Sequence, residues 1–331
     1  MLRLPKFTYL RPRSVDETVE MLATRGPAAM PMAGGTDLLP KMKRGQFEPS
    51  YLVGLLHLAE LHGISDTPKG GLRIGAGQSL TSVAEHPEVR RRVPALATAA
   101  QLVATSQIRA VGTIGGNALI DTRCNYIDQS YHWRKSVGFC LKKDGHICPV
   151  APGGHRCWAI SSSDTAPVLI ALGAKATLVG TNGQRTIEFE DLYRDDGAAP
   201  HAKSPDEILV SIEIPAVDGM RCTYLKLRRR GSFDFPILGV AAALSVRDGF
   251  VERARVVLGG VASLPIRARA AETLLVGKKV TPELMDEAAQ VATNRAKPLD
   301  NADLTHFWRK RMSRVYARRA LREVAGLAAE A

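Results

Sequence analysis

Two glycine turns, AGGTD at 33–37 and GTIGGN at 112–117, constrain the fold of this chain more than any other feature. Each follows an apolar segment. Glycine permits close backbone approach and positive φ, so successive N–H groups in such a turn can converge on a phosphate. Thr36 and Thr113 add hydroxyl donors, and Asn117 adds an amide. One such turn is most simply a tight turn, but two can grip a pyrophosphate from both sides. Neither has the G-x-G-x-x-G spacing of a Rossmann fingerprint or the G-x-x-x-x-G-K-[ST] spacing of a P-loop, so both motifs are excluded.

Cysteine is the second constraint. The chain has five, and four of them, Cys124, Cys140, Cys148 and Cys157, fall within residues 121–157. Their spacing is C-x15-C-x7-C-x8-C. No C-x-x-C pair of the zinc-ribbon kind occurs, and the common bacterial ferredoxin run is absent too. Four thiolates on a loop that folds back on itself can still ligate an iron–sulfur cluster. Gly138, Gly145, Gly153 and Gly154 permit the turns, and Pro149 and Pro152 stiffen them. Lys135, Lys142, Lys143, His146, His155 and Arg156 are available to offset cluster charge. Spacing alone leaves three readings open: an iron–sulfur cluster, zinc, or four unligated cysteines. Cys222 lies in an expected strand and reads as a small core residue.

A chain of 331 residues can bury one large core or two to three modest ones. The expected fold class is α+β. Helices are expected over SVDETVEMLATRG (Ser14 as N-cap, Glu17 completing a capping box), PALATAAQLVA and SDTAPVLIALG. Strands are expected at AAMPM, SYLVGLL, GLRIGAG, AKATLVG and RTIEFEDL, and TSQIRAVGTIGGNALID reads as a loop. From about residue 206 four strands and then two helices (266–276 and 281–296) suggest a separate module, with RDG at 247–249 as a hairpin turn. The boundary is placed near residue 220.

Lys plus Arg exceeds Asp plus Glu by 45 to 33, a net charge of +12. Much of the excess sits in HFWRKRMSRVYARRALRE, 306–323, where Phe307, Met312, Val315 and Leu321 give a rough helical stripe. This reads as a solvated or partner-facing basic helix. No recognised nucleic-acid motif accompanies it. HWRK at 132–135 is either a partner-contact patch or the solvated face of the cysteine segment. The first residues carry no apolar run of signal-peptide length, and APVLIALGAKATLV and PILGVAAALSV are too short and interrupted to span a bilayer. The expected location is the cytoplasm, where thiols stay reduced.

AGGTDLLPKMK and TIGGN resemble the FAD-binding medium subunits of the xanthine oxidase (molybdenum hydroxylase) family, and SDTAPVLIALGAKA, DEILVSIEIP and YLKLRRRGSFDFPILGVAAAL resemble its continuation. The resemblance implies a two-part FAD-binding domain over 1–220, with lobes at about 1–55 and 56–220 and a cluster-binding insertion at 121–160. A smaller α+β domain follows over 221–331. It implies FAD contacts at Met32, Ala33, Gly34, Gly35, Thr36, Asp37 and Leu38, and at Thr113, Ile114, Gly115, Gly116 and Asn117. Asp164 falls at the position of an FAD-contacting aspartate, and Lys226 at that of a lysine near the isoalloxazine ring. From the residues alone, Lys226 is more simply a solvated strand lysine.

The family has a short linker between Asn117 and Asp164. Here a long insertion carries the four cysteines, and DTRCNYIDQS and GFCLK are similar to the beta subunits of 4-hydroxybenzoyl-CoA reductases. That similarity implies one [4Fe-4S] cluster on Cys124, Cys140, Cys148 and Cys157. It further implies a molybdenum cofactor-binding large subunit, a small subunit with two [2Fe-2S] clusters, reduced ferredoxin as donor and a dimer of heterotrimers. The chemistry would lie at molybdenum, so no catalytic residue is expected on this chain. A hydroxylase of the same family oxidising another aromatic or a purine substrate, and a zinc-stabilised binding protein, are the alternatives.

Overall fold

The structure, a computed structural model, describes residues 3–327. The N-terminal lobe is a parallel three-stranded sheet of order β1-β3-β2, formed by β1 (Thr8–Leu10), β2 (Ala29–Met32) and β3 (Tyr51–Gly54). Parallel neighbours need crossovers. These are α1 (Val15–Arg25) and α2 (Leu38–Lys43). Ser14 caps α1 by accepting the N–H of Glu17 at 3.1 Å. The Glu17 carboxylate bonds the N–H of Arg13, not of Ser14, so the capping box closes one residue early.

The second part is a five-stranded antiparallel sheet, order β4-β5-β8-β6-β7. Its strands are β4 (Ile64–Asp66), β5 (Leu72–Gly75), β6 (Lys175–Gly180), β7 (Gly183–Glu188) and β8 (Ile208–Ile214). Short helices α3 (Leu80–Glu85), α4 (Pro87–Arg92), α5 (Pro94–Gln101), α6 (Ser106–Val111) and α7 (Ile114–Ala118) follow β5. Helix α8 (Tyr131–Ser136) lies in the cysteine segment, and α9 (Thr165–Leu172) precedes β6. The stretch expected as a loop thus holds α6 and α7. Thr105 and Thr113 cap them, each hydroxyl accepting an N–H three residues on.

The C-terminal part is an antiparallel sheet of order β12-β11-β10-β9 covered by α10 (Arg269–Leu275), α11 (Pro282–Thr293) and α12 (His306–Ala325). Its strands are β9 (Met220–Leu227), β10 (Leu238–Arg247), β11 (Phe250–Gly259) and β12 (Ile266–Arg267). The four strands expected from residue 206 onward do not share a sheet: β8 pairs with β5 and β6. Strand β10 is apolar at every position from Leu238 to Leu244 because both its faces are covered. Val240, Ala242 and Leu244 pack under the C-terminal helices, while Ala241 and Ala243 join the core around α9. At the β10–β11 hairpin Asp248 and Gly249 both have positive φ, 51° and 80°, as a type I′ turn requires.

Helix α12 buries part of the expected stripe, Leu321 and in part Met312, but most of its buried face is made of other residues. Ser313, Ala317, Ala320, Leu321 and Val324 face the core, while Phe307 is 77% exposed. Small residues let α12 lie close to α11 and β10, and Phe307 falls off that face. No helix among the described residues is long and apolar enough to cross a membrane.

Candidate cofactor site

A cavity of about 740 Å³ lies where the three parts meet. Its walls are the turn after β2, the turn at the start of α7, the beginning of β8, and segments 229–230, 233–237 and 301–303 of the C-terminal part. The two glycine turns form one cleft. A Cβ on Gly34 would collide with the carbonyl oxygen of Val111, and one on Gly115 would meet Ala76 at 2.7 Å. Gly35 has φ +68°, which a side chain would strain. Among the described residues no backbone oxygen accepts the N–H groups of Gly34, Gly35, Thr36 or Asp37 outside regular elements. Free N–H groups on a wall of this size suit an anionic dinucleotide: an anion satisfies them, and the apolar walls take the ring systems.

The first turn lines the cavity throughout, at Met32, Ala33, Gly34, Gly35, Thr36, Asp37 and Leu38. The second does so at Thr113, Gly115, Gly116 and Asn117, whereas Ile114 points into the main core. Asn117 is tied inward. Its Oδ1 accepts from the Ser163 hydroxyl at 2.9 Å and from the N–H and hydroxyl of Thr165 at 3.1 and 2.7 Å. Its oxygen therefore fixes the second turn to the start of α9, leaving only the amide nitrogen for a ligand.

Asp164 and Lys226 stand behind the wall. Lys226 Nζ donates to Asp164 Oδ2 and to the carbonyl of Leu102, both at 2.9 Å, and the Tyr224 hydroxyl donates to Asp164 Oδ1 at 2.8 Å. The two charged side chains are 2% and 1% exposed, so Lys226 is not the solvated lysine its strand suggests. Burial pushes the Asp164 carboxyl up and the Lys226 ammonium down, and their contact opposes both shifts.

Several wall residues carry no signal in the local sequence. Arg123 pairs with Asp37 of the first turn and, at 3.2 Å, with Asp128. Its guanidinium carbon lies 4.1 Å from the ring centre of Phe235. Its Nε is buried without a partner. His201 also lines the cavity, and burial followed by Lys203 pushes its pKa down to about 4. Only tertiary contacts bring these side chains together. The one hint in the sequence is the position of Arg123 beside Cys124.

The four clustered thiols converge. Cys124, Cys140, Cys148 and Cys157 line one small enclosed cavity with Ile127, Val150 and Ala159. Cys124 lines the large cavity as well. Burial pushes the Cys124 thiol up to about 12 and the Cys157 thiol up to about 11, so these thiols stay protonated until a metal displaces the protons. Four soft donors around one dry space fit a thiolate-bound cluster. Among the described residues no three His, Cys, Asp or Glu side chains are grouped to hold a metal ion.

The segment is anchored by polar side chains. Arg134 of HWRK is buried, not solvated, and donates to the carbonyls of Arg44 and Gly45 at 3.2 and 2.8 Å. The backbone carbonyl of Asn301 accepts the N–H of Asn125 at 2.9 Å and its side-chain amide donates to the carbonyl of Trp158 at 2.5 Å, holding both ends of the segment. Cys222 packs against the main core, as expected.

Residues 5–217 match the family described as "FAD binding domain in molybdopterin dehydrogenase", and residues 223–324 match "CO dehydrogenase flavoprotein C-terminal domain". The aldehyde oxidoreductase FAD-binding subunit PaoB of Escherichia coli is 35% identical over 81% of this chain and 86% of its own length. The glyceraldehyde dehydrogenase medium chain of Sulfolobus acidocaldarius is 26% identical over 97% and 99%. A solved chain of carbon monoxide dehydrogenase from Hydrogenophaga pseudoflava superposes with a TM-score of 0.81 at 29% identity, covering 99% of this chain and 100% of that one. The cleft of paired glycine turns therefore sits in a two-domain fold of known type, and the chain belongs to the FAD-binding medium subunits of the molybdenum hydroxylase family.

Proposed function

We propose that this chain is the FAD and [4Fe-4S] electron-transfer subunit of a molybdenum-containing 4-hydroxybenzoyl-CoA reductase. The observation that carries this reading is the position of Cys124 on the walls of both cavities. A cluster held by Cys124, Cys140, Cys148 and Cys157 would share a wall with FAD. When bound, FAD supplies one- or two-electron chemistry and the cluster one-electron chemistry.

The residues of this chain bind, orient and exclude water. The turns Met32–Leu38 and Thr113–Asn117 hold the pyrophosphate and ribityl chain, with Ile114 anchoring the second turn from the core. Asp164 and Lys226 stay behind the wall, where their buried pair is tied to the carbonyl of Leu102, next to the lining residues Val103 and Ala104. The C-terminal segments carrying Phe235 and Asn301 form one wall of the large cavity. No acid, base or nucleophile is assigned here, because the dehydroxylation to benzoyl-CoA belongs to the molybdenum-bearing large subunit. A small subunit with two [2Fe-2S] clusters and reduced ferredoxin complete the electron path, in a cytoplasmic dimer of heterotrimers.

A second reading is favoured by the relatives, which include aldehyde- and CO-oxidising enzymes. In it the chain serves a hydroxylase with another substrate. A zinc-stabilised, non-redox protein would draw on the same four thiols. Anaerobic purification with iron, sulfide, zinc and flavin analysis separates these. Roughly four iron and four sulfide per chain with one FAD are expected, and Cys148→Ser should lose iron while keeping FAD. Zinc without iron or sulfide would sink the cluster, and assays of the complex on 4-hydroxybenzoyl-CoA and on aldehydes would decide between the two enzymes.

A further inference from the structure

Asp121 stands between the two cavities. It lines the large one, and its two oxygens go to different places. Oδ2 accepts from Lys41 Nζ at 2.6 Å, and Lys41 is a wholly buried residue of α2, the helix that follows the first glycine turn. Oδ1 accepts from Lys142 Nζ at 2.7 Å. Lys142 lies between Cys140 and Cys148 and lines the small cavity with all four thiols. It is held in place by further bonds to the carbonyls of Gly197, at 2.7 Å, and Thr122, at 3.2 Å.

The charges facing this chain of contacts can be placed. Lys41, Arg44 and Arg123 lie within ion-pair reach of Asp128, and Arg123 also pairs with Asp37. With Lys142 and Asp121, four cations face three carboxylates, leaving one positive charge in excess. His201, a titratable neighbour of both Asp121 and Lys142, is neutral at pH 7 because burial and Lys203 hold its pKa at about 4.

We propose that Lys142 and Asp121 are positioning residues that set the reduction potentials of cluster and flavin together, a role that rests on the cluster reading above. One-electron reduction adds one negative charge to a cluster, and cluster potentials follow local charge and hydrogen bonding. A buried ammonium beside the thiolates is little screened and stabilises that added charge. Asp121 carries the effect onward: it lines the flavin cavity, and Lys142 offsets the charge of its carboxylate.

The test is a potentiometric titration of the anaerobically purified holoenzyme with dithionite as electron donor. The cluster is followed by electron paramagnetic resonance and the flavin by absorbance. Lys142→Gln, which keeps a hydrogen-bonding side chain but drops the charge, should lower the cluster midpoint clearly and the flavin midpoint less, with iron and FAD contents unchanged. Lys142→Met should do the same, and Lys142→Arg should restore the wild-type values. The flavin shift caused by K142Q should shrink in an Asp121→Asn background if Asp121 is the link. Unshifted midpoints in K142Q and K142M, or an equal drop in K142R, would overturn the proposal while leaving the cluster in place. Wild-type protein with FAD but no iron would remove the cluster reading and this proposal with it.

Discussion

The glycine cleft and the cysteine segment meet at Cys124, yet they are built by opposite means. The cleft is made of backbone. Gly34 abuts Val111 and Gly115 abuts Ala76, so its shape depends on side chains that are missing. The cysteine segment is made of side chains reaching out. Arg134 grips Arg44 and Gly45, and the Asn301 amide grips the carbonyl of Trp158. A backbone site fails when something is added, and a tethered loop fails when something is removed.

The largest expected effect therefore comes from adding atoms to the cleft. Gly34→Val would force the first turn off Val111, so FAD content should fall close to zero, with about 3 kcal/mol of stability lost from overpacking. Flavin absorbance per chain and urea denaturation measure both. FAD binding as tight as in wild type would break the comparison.

His201 gives a pH-dependent contrast on the cleft side. Its folded pKa is depressed from 6.5 to about 4, so as pH falls below 6.5 the unfolded chain takes up a proton before the folded one does. The stability it contributes is present above pH 6.5 and lost toward pH 4, by up to about 3 kcal/mol. His201→Gln should lack that slope. Parallel stability curves for the two proteins from pH 7 to 4 would rule this out.

Removing a tether tests the other region. Arg134→Ala leaves two carbonyls unpaired in a partly buried place and should cost about 2 kcal/mol. Iron content should drop with it while FAD stays bound. Loss of FAD in equal measure would mean that the two regions fold as one unit. The smallest effect is expected from Ser14→Ala, about 1 kcal/mol through the lost N-cap on α1. Neither cofactor content should change, which makes this variant the baseline for the others.

Much of this contrast was legible beforehand. The glycine turns could be read because a backbone site needs glycine at fixed local positions, and local patterns survive in sequence. The grouping of the cysteines could be read for a similar reason, since thiols are rare in this chain and four of them fall in one segment. The missed features are non-local. Arg134 looked like part of a solvated face because its partners lie at residues 44 and 45. Residues 208–214 looked like the first strand of the C-terminal module because the spacing of strands does not record which sheet each one joins.

By itself the sequence determined the chemistry on offer: two turns able to cradle a phosphate, four thiols in one segment, and an alternation of helix and strand long enough for more than one core. Local spacing suffices for that, because turn geometry, caps and periodicity act over a few residues. The tertiary structure decided which groups share a space. It brought Gly34 against Val111, put Cys124 on two walls, and gave the oxygens of Asp121 to one lysine from α2 and one from the cysteine segment. It also withdrew Asp164 and Lys226 into a pair behind the wall. The physical reason is burial: a charge removed from water must find its partner in the folded chain, and that partner can lie anywhere along it.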